Sequence, residues 1–192
     1  MPLTHHPLSQ FEYCPRCGDH GFVPNNAKSN RCKKCGFVYY INPSSACAVL
    51  ITDSKNNLLV AVRAHEPAKG TYDLPGGFAD LNESIEQSVA RELLEETDMD
   101  INSESVQQQI SSPLRYLFSE PNTYLYSGFE VPTADLIFHI GIMDLTAYAG
   151  KGRDDVSELL LIPLSELNPE FFGLPSIKKV IRRVITEPEL LR

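Results

Sequence analysis

The chain has 192 residues, 42% of them hydrophobic and 22% charged, enough apolar content for one sizeable core and a small appendage. Its formal net charge of -8 excludes a duplex nucleic-acid binder, which needs a basic surface to displace counterions, and ties phosphate binding to a site that recruits divalent metal. No stretch reaches the apolar length of a membrane span, and Met1 to Gln10 lacks a basic segment followed by an apolar one, so a cytoplasmic protein without membrane contact is expected.

In chain order, residues 1–10 read as a flexible terminus, with no role for the adjacent His5 and His6. Residues 11–42 carry four of the five cysteines as two knuckles, Cys14-Pro-Arg-Cys17-Gly and Cys32-Lys-Lys-Cys35-Gly, separated by 14 residues. Each knuckle turns two thiolates to one side, and two knuckles complete the closed tetrahedral shell of a structural Zn²⁺. Paired disulfides are disfavoured without an export signal, and a redox motif would use a single Cys-x-x-Cys beside a βαβ unit. Arg16, Lys28, Arg31, Lys33 and Lys34 make a nucleic-acid module an alternative for this segment, but they read better as a solvated surface. Cys47, inside the apolar run Ala46 to Ile51, reads as a buried small hydrophobe.

From residue 43 onward the pattern is that of one larger domain. Ala46 to Thr52 and Leu58 to Arg63 predict a hairpin around Asp53-Ser-Lys-Asn-Asn57. A loop then leads to Leu74-Pro-Gly-Gly-Phe78, and a helix follows from Ser84 to Thr97, opened by a capping box of Ser84 with Gln87. Strands are expected at Leu114 to Ser119, Tyr124 to Phe129, Asp135 to Leu145 and Glu158 to Ile162, with a closing helix from Ser176 to Thr186. Strands interleaved with one central and one late helix predict an α/β sandwich.

The chemistry concentrates between Gly77 and Met99. On a helix at about 100° per residue, Glu92, Glu95 and Glu96 fall within an arc of roughly 100°, with Ala90, Leu93 and Leu94 roughly opposite as a core stripe. Like charges at i, i+3 and i+4 repel by roughly a few tenths of a kcal/mol per pair, and acids near a helix C-terminus oppose the macrodipole, so a cation is required. Carboxylate oxygens suit the hard ions Mg²⁺ or Mn²⁺. Arg91 can orient one of the glutamates by a bidentate pair.

These 23 residues, Gly77 through Glu83 to Arg91-Glu92-Leu93-Leu94-Glu95-Glu96-Thr97-Asp98-Met99, resemble the Nudix box, Gly-x5-Glu-x7-Arg-Glu-U-x-Glu-Glu-x-Gly-U with U aliphatic. The single departure is Asp98 in place of glycine at the helix end, where a left-handed residue is expected; Asp tolerates that conformation better than most. The ribbon, Phe37-Val-Tyr-Tyr-Ile-Asn-Pro43 and Leu74-Pro-Gly-Gly-Phe78 extend the resemblance to the zinc-ribbon branch related to NADH pyrophosphatases. Where those enzymes carry Ser-Gln-Pro-Trp-Pro-Phe-Pro-x-Ser, this chain has Ser119-Glu-Pro-Asn-Thr-Tyr-Leu-Tyr-Ser127.

The resemblance implies a Nudix-type α/β/α sandwich with a mixed sheet over residues 43–192. It implies a pyrophosphohydrolase that cleaves the diphosphate linkage of a nucleoside diphosphate derivative such as NADH or ADP-ribose. Glu92, Glu95, Glu96 and the Gly77 carbonyl would hold Mg²⁺ or Mn²⁺, and Asp155, with Glu158 as runner-up, would supply a further catalytic carboxylate. Arg63 is a candidate phosphate contact, and Phe78, Tyr124 and Tyr126 are candidate platforms for a base. The expected partners are a nucleotide-like diphosphate substrate and a second copy of the chain in a homodimer. The alternative is a Nudix module that binds such a ligand without turnover, which would be freer to lose the box acids.

Overall fold

The computed structural model describes residues 6–192. Strands β1 (Phe22–Asn26), β2 (Ser29–Cys32) and β3 (Val38–Tyr40) form a three-stranded antiparallel sheet, the ribbon. Its core is minimal: buried Cys14, Phe22 and Cys32, with Cys35 and Phe37 packed against them. Of the expected flexible terminus, residues 1–5 lie outside the described residues. Residues 6–10 instead form a turn on the ribbon, with Leu8 fully buried and its carbonyl accepting from Asn30 Nδ2 at 3.1 Å.

The main domain is built from β4 (Ser44–Asp53), β5 (Asn57–Arg63), β6 (Tyr72–Asp73), α1 (Ile85–Thr97), α2 (Glu104–Gln107), β7 (Ile110–Tyr126), β8 (Phe129–Ile142), β9 (Gly150–Lys151), β10 (Val156–Pro163) and α3 (Pro175–Thr186). Its seven-stranded sheet runs β7-β8-β4-β5-β10-β9, with β6 paired to β5. Only β4 and β8 run parallel, so the sheet is mixed. Central β4 is apolar on both faces, as a strand covered on both sides must be. Cys47, Val49 and Ile51 pack with Val89 and Leu93 of α1, while Ala48 and Leu50 pack with Ile177, Val180 and Ile181 of α3. The expected α/β/α sandwich is present.

The hairpin of β4 and β5 closes as predicted: Asp53 Oδ1 accepts from the N–H groups of Lys55 and Asn57, both at 2.9 Å. The two strands, however, pair only beside the turn, at Thr52 and Leu58. Beyond it the loop Leu74 to Ala79 lies along β4: Val49 N–H donates to Pro75 O, Cys47 N–H to Gly77 O and Ala79 N–H to Ser45 O, at 2.8, 2.8 and 3.0 Å. Gly76 is required there, because with φ +144° a Cβ would stand 2.2 Å from Cys47 O.

Two expectations need correction. Leu114–Ser119 and Tyr124–Phe129 are not separate strands: β7 runs unbroken through Pro121 to Tyr126, and Phe129 already belongs to β8. Proline is tolerated because β7 is an edge strand, with a ladder on one side only. On α1, Leu94 is not core but 43% exposed, whereas Glu92 and Glu96 are buried beside Val89 and Leu93. The acidic and buried faces of the helix overlap.

Candidate active site

α1 starts where its local chemistry demands. Ser84 accepts from Gln87 N–H and Gln87 returns the bond to Ser84 N–H, the predicted capping box. It ends at Asp98, left-handed at φ 61°, whose N–H satisfies carbonyls of Leu93 and Leu94 and whose carboxylate pairs with Arg153. Asp98 thus keeps the geometry of a glycine cap and adds a side-chain tether to the segment before β10.

Between these ends Arg91 organises the acids. Its Nε and Nη2 form a fork on Glu83 at 3.0 and 3.2 Å, Nη1 reaches Glu92 at 2.7 Å and Glu95 at 3.0 Å, and Nη2 also donates to Phe78 O at 2.9 Å. The Arg91 bonds, with help from Ser88, hold the Glu83 carboxyl down at about 2. Glu83 is therefore the anchor of the arginine. Glu92 is 8% exposed and burial pushes its carboxyl up against the pull of Arg91. Glu96 is 6% exposed and burial pushes it well above the usual carboxylate range, opposed by the Gly76 N–H at 2.8 Å from Oε2. Gly77 makes room for this arrangement, since a Cβ there would stand 2.5 Å from Glu92 Oε1. The Gly77 carbonyl accepts from Cys47 N–H and keeps one lone pair free.

Gly76, Gly77, Arg91, Glu92, Glu95 and Glu96 line a cavity of ≈ 260 Å³, whereas Glu83 stands behind them. Of the residues singled out by sequence, Gly77, Glu92, Glu95, Glu96, Asp155, Arg63, Phe78 and Tyr124 line it. Asp154 joins Asp155 on the facing loop, and Asp155 lies 3.7 Å from His65. Glu158 and Tyr126 are exposed and outside the lining; Tyr126 shares a strand face with Tyr124 but sits two residues nearer the hairpin tip. Arg63 is already engaged, with Nη1 on the buried Asp73 carboxylate, Nη2 on Tyr124 Oη at 3.3 Å and Nε on Pro67 O at 2.7 Å. Phe78 and Tyr124 meet edge to face, centroids 5.9 Å apart.

Sequence reasoning missed Asp73, Asn122, Thr133, Asp135, Leu174 and Ile177, which line the same cleft. A charged residue opening the apolar run Leu136-Ile137-Phe138 was the available signal for Asp135.

Comparison with known proteins agrees with this geometry. The family model for the NUDIX domain matches residues 42–184. The chain belongs to the NUDIX family. NAD-capped RNA hydrolase NudC of Vibrio vulnificus is 26% identical over 154 residues, covering 80% of this chain and 50% of that protein. The ADP-ribose pyrophosphatase of Methanocaldococcus jannaschii is 30% identical over 141 residues, covering 73% of this chain and 68% of that protein. The chain spans about half the length of the NudC relatives it matches. Among solved structures, a NUDIX hydrolase from Nitrosomonas europaea superposes with TM-score 0.62 at 21% identity, covering 93% of this chain and 92% of that one. The NUDIX domain of Shewanella oneidensis NrtR, complexed with ADP ribose, gives 0.56 at 17% identity, covering 78% and 90%. At such identities the likeness is one of fold.

Among the described residues of this NUDIX protein, one group has its ligand atoms gathered as a metal site requires. In the ribbon, all four Sγ atoms lie within 4.8 Å of one another, with Cys14–Cys35 and Cys17–Cys32 at 3.7 Å. That is too long for a disulfide and close to the edge of about 3.8 Å expected for a tetrahedron with 2.3 Å metal–sulfur bonds. The backbone N–H of Cys35 donates to Cys32 Sγ at 3.5 Å, the amide-to-sulfur contact that a knuckle turn provides to a metal-bound thiolate. In the cleft, Glu92, Glu95, Glu96, Asp154 and Asp155 line the wall with oxygen donors of the kind a hard divalent cation takes, but they are not gathered as the thiolates are, and Arg91 bridges Glu92 and Glu95. Among the described residues, no helix is long and apolar enough to cross a membrane.

Proposed function

We propose that this protein is a cytoplasmic pyrophosphohydrolase that cleaves the P–O–P linkage of a nucleoside diphosphate derivative of the ADP-ribose or NADH class. The observation that carries this reading is that Glu92, Glu95, Glu96 and the Asp154–Asp155 loop line one cleft together with Asn122, Thr133, Asp135 and the apolar Leu174 and Ile177. The activities named for the NudC and ADP-ribose pyrophosphatase relatives support the same class of substrate.

Glu92, Glu95 and Glu96, with the Gly77 carbonyl, would hold Mg²⁺ or Mn²⁺, which supplies charge neutralisation on the diphosphate and makes a water more acidic. Arg91 keeps Glu92 and Glu95 turned toward the cleft, using Glu83 as its anchor. Asp155, on the opposite lip, accepts the proton of the attacking water at a carboxylate oxygen. Arg63 acts by holding Tyr124 and Asp73 in position, and Phe78 with Tyr124 frames the entry of the base. The four ribbon thiolates would hold a structural Zn²⁺, closing a tetrahedral shell. Retention of every box acid favours the enzyme over a ligand-binding module without turnover.

The test is hydrolysis of ADP-ribose, NADH and dinucleoside polyphosphates with and without Mg²⁺ or Mn²⁺, read as released nucleotide. Metal-dependent turnover of at least one is expected; none, with the ligands still bound, would leave the binding-module reading standing.

A further inference from the structure

We infer that the part of the cleft walled by Asn122 and Asp135 is a subsite for a heterocycle edge presenting an amino group beside an acceptor, with Asp135 as the residue that selects it. This deepens the hydrolase reading by naming the substrate's ring chemistry, but its binding test does not depend on turnover.

Asp135 is 8% exposed and lines the cavity. Its Oδ1 accepts from Thr133 Oγ1 at 2.6 Å and its Oδ2 from Asn122 Nδ2 at 3.1 Å. The contrast with Asp73, a second buried carboxylate on the same wall, is instructive. Asp73 has the guanidinium of Arg63, whereas among the described residues no Arg, Lys or His pairs with Asp135. A buried carboxylate is retained without a cation only if its oxygens are well satisfied, and two neutral donors fill about half of its four or so acceptor positions.

The remaining capacity has a defined polarity. Asn122 donates one of its two amide hydrogens to Asp135, which fixes the amide's orientation and leaves the second hydrogen for a ligand. The wall therefore offers an acceptor next to a donor. Its complement is a donor next to an acceptor, which is the amino edge of adenine or the primary carboxamide of nicotinamide. Leu174 and Ile177 supply apolar surface for the ring itself. In the same pose, fixed by the ribose phosphate, a 6-oxopurine carries the two groups in reverse order and a pyridine carboxylate sets oxygen against oxygen; both then meet repulsion from Asp135.

The experiment is calorimetric binding of AMP against IMP, and of nicotinamide mononucleotide against nicotinic acid mononucleotide, to the full chain. At least one amino-bearing member should bind about tenfold more tightly than its partner, the size set by one hydrogen bond gained against one repulsion; the pair that discriminates identifies the ring. Asp135→Asn, which can turn an NH₂ toward the ligand, should bring that ratio within about threefold of unity at unchanged melting temperature. Asn122→Ala, on the edge strand, should reduce the ratio as well and serves if the first variant does not fold. Equal affinities within both pairs, no measurable binding of any of the four, or a ratio untouched by either variant would overturn the inference. Turnover of ADP-ribose without discrimination would sink this subsite and leave the hydrolase intact; discrimination without turnover of any diphosphate would do the reverse.

Discussion

The backbone N–H of Gly76 donates to Glu96 Oε2 at 2.8 Å, so the Pro-Gly-Gly turn and the C-terminal half of α1 are held by a carboxylate that also faces the cleft. Glu96→Gln keeps size and helix propensity and can still accept from Gly76, but removes a charged ligand. Turnover should fall by about 10²-fold or more, while the metal-free melting temperature holds or rises. Mg²⁺ should raise the melting temperature of the wild type and not of the variant. Undiminished, metal-independent activity would refute the role given to the acid cluster.

Neighbouring glycines should fail in different ways. Gly77→Ala puts a methyl 2.5 Å from Glu92 Oε1, the mobile end of a side chain, so the chain should fold with Mg²⁺ affinity weakened by about tenfold or more. Gly76→Ala instead drives a methyl to 2.2 Å from the Cys47 carbonyl at a φ unsuited to L-residues, and should destabilise the fold by about 2 kcal/mol or more. Denaturant unfolding and metal titration of both variants separate the two effects; similar stabilities would refute the account of the turn.

His139 makes the fold acid-sensitive. It is 1% exposed, bonded to Thr52 Oγ1 at 2.8 Å, and burial, with Arg115 nearby, pushes its ring down to about 4. Above pH 6.5 the ring is neutral in both folded and unfolded chains. As pH falls below that, the unfolded chain takes up a proton that the folded chain refuses until about 4, so stability declines across this window by up to about 3 kcal/mol. His139→Gln should flatten this part of the stability profile; an unchanged slope in the variant would refute the assignment.

The ribbon should carry about one zinc per chain, since four thiolates saturate one tetrahedral ion. Cys32→Ser should lose it and unfold the ribbon. The main domain should still melt cooperatively, because its two apolar clusters share no residue with the ribbon core. The joint is local, an edge-to-face contact of Phe11 with Phe129 at 5.2 Å and a bond from Gln10 to the Gly128 carbonyl. Loss of the main transition in the variant would show that the joint carries more of the stability.

What could be read in advance divides by how local the information is. The capping box of Ser84 and Gln87, the Asp53 turn and the four-cysteine knuckles depend on residues close in sequence, and each is found as expected. The break expected before Tyr124 failed because a proline's tolerance depends on whether a second strand lies alongside, which only the assembled sheet decides. Leu94 failed for a related reason. Helical spacing brings Glu92 and Glu96 near Val89 and Leu93, and which neighbours are buried is set by the loop the helix packs against. The Asn122, Thr133 and Asp135 group was illegible because it joins β7 to β8 across a hairpin, and nothing local marks those positions as facing one space.

The insertion of the Pro-Gly-Gly loop along β4 has a consequence for how the cleft adapts to its ligand. The amides of Cys47, Val49 and Ala79 are bonded as a sheet is, so in hydrogen exchange this wall should open only with the sheet itself, near the free energy of global unfolding. Plasticity is left to the two flanks, where the Asp154–Asp155 segment and the hairpin beyond Asn122 sit at opposite margins of the sheet. A larger ligand should be accommodated by those flanks shifting about a fixed central wall.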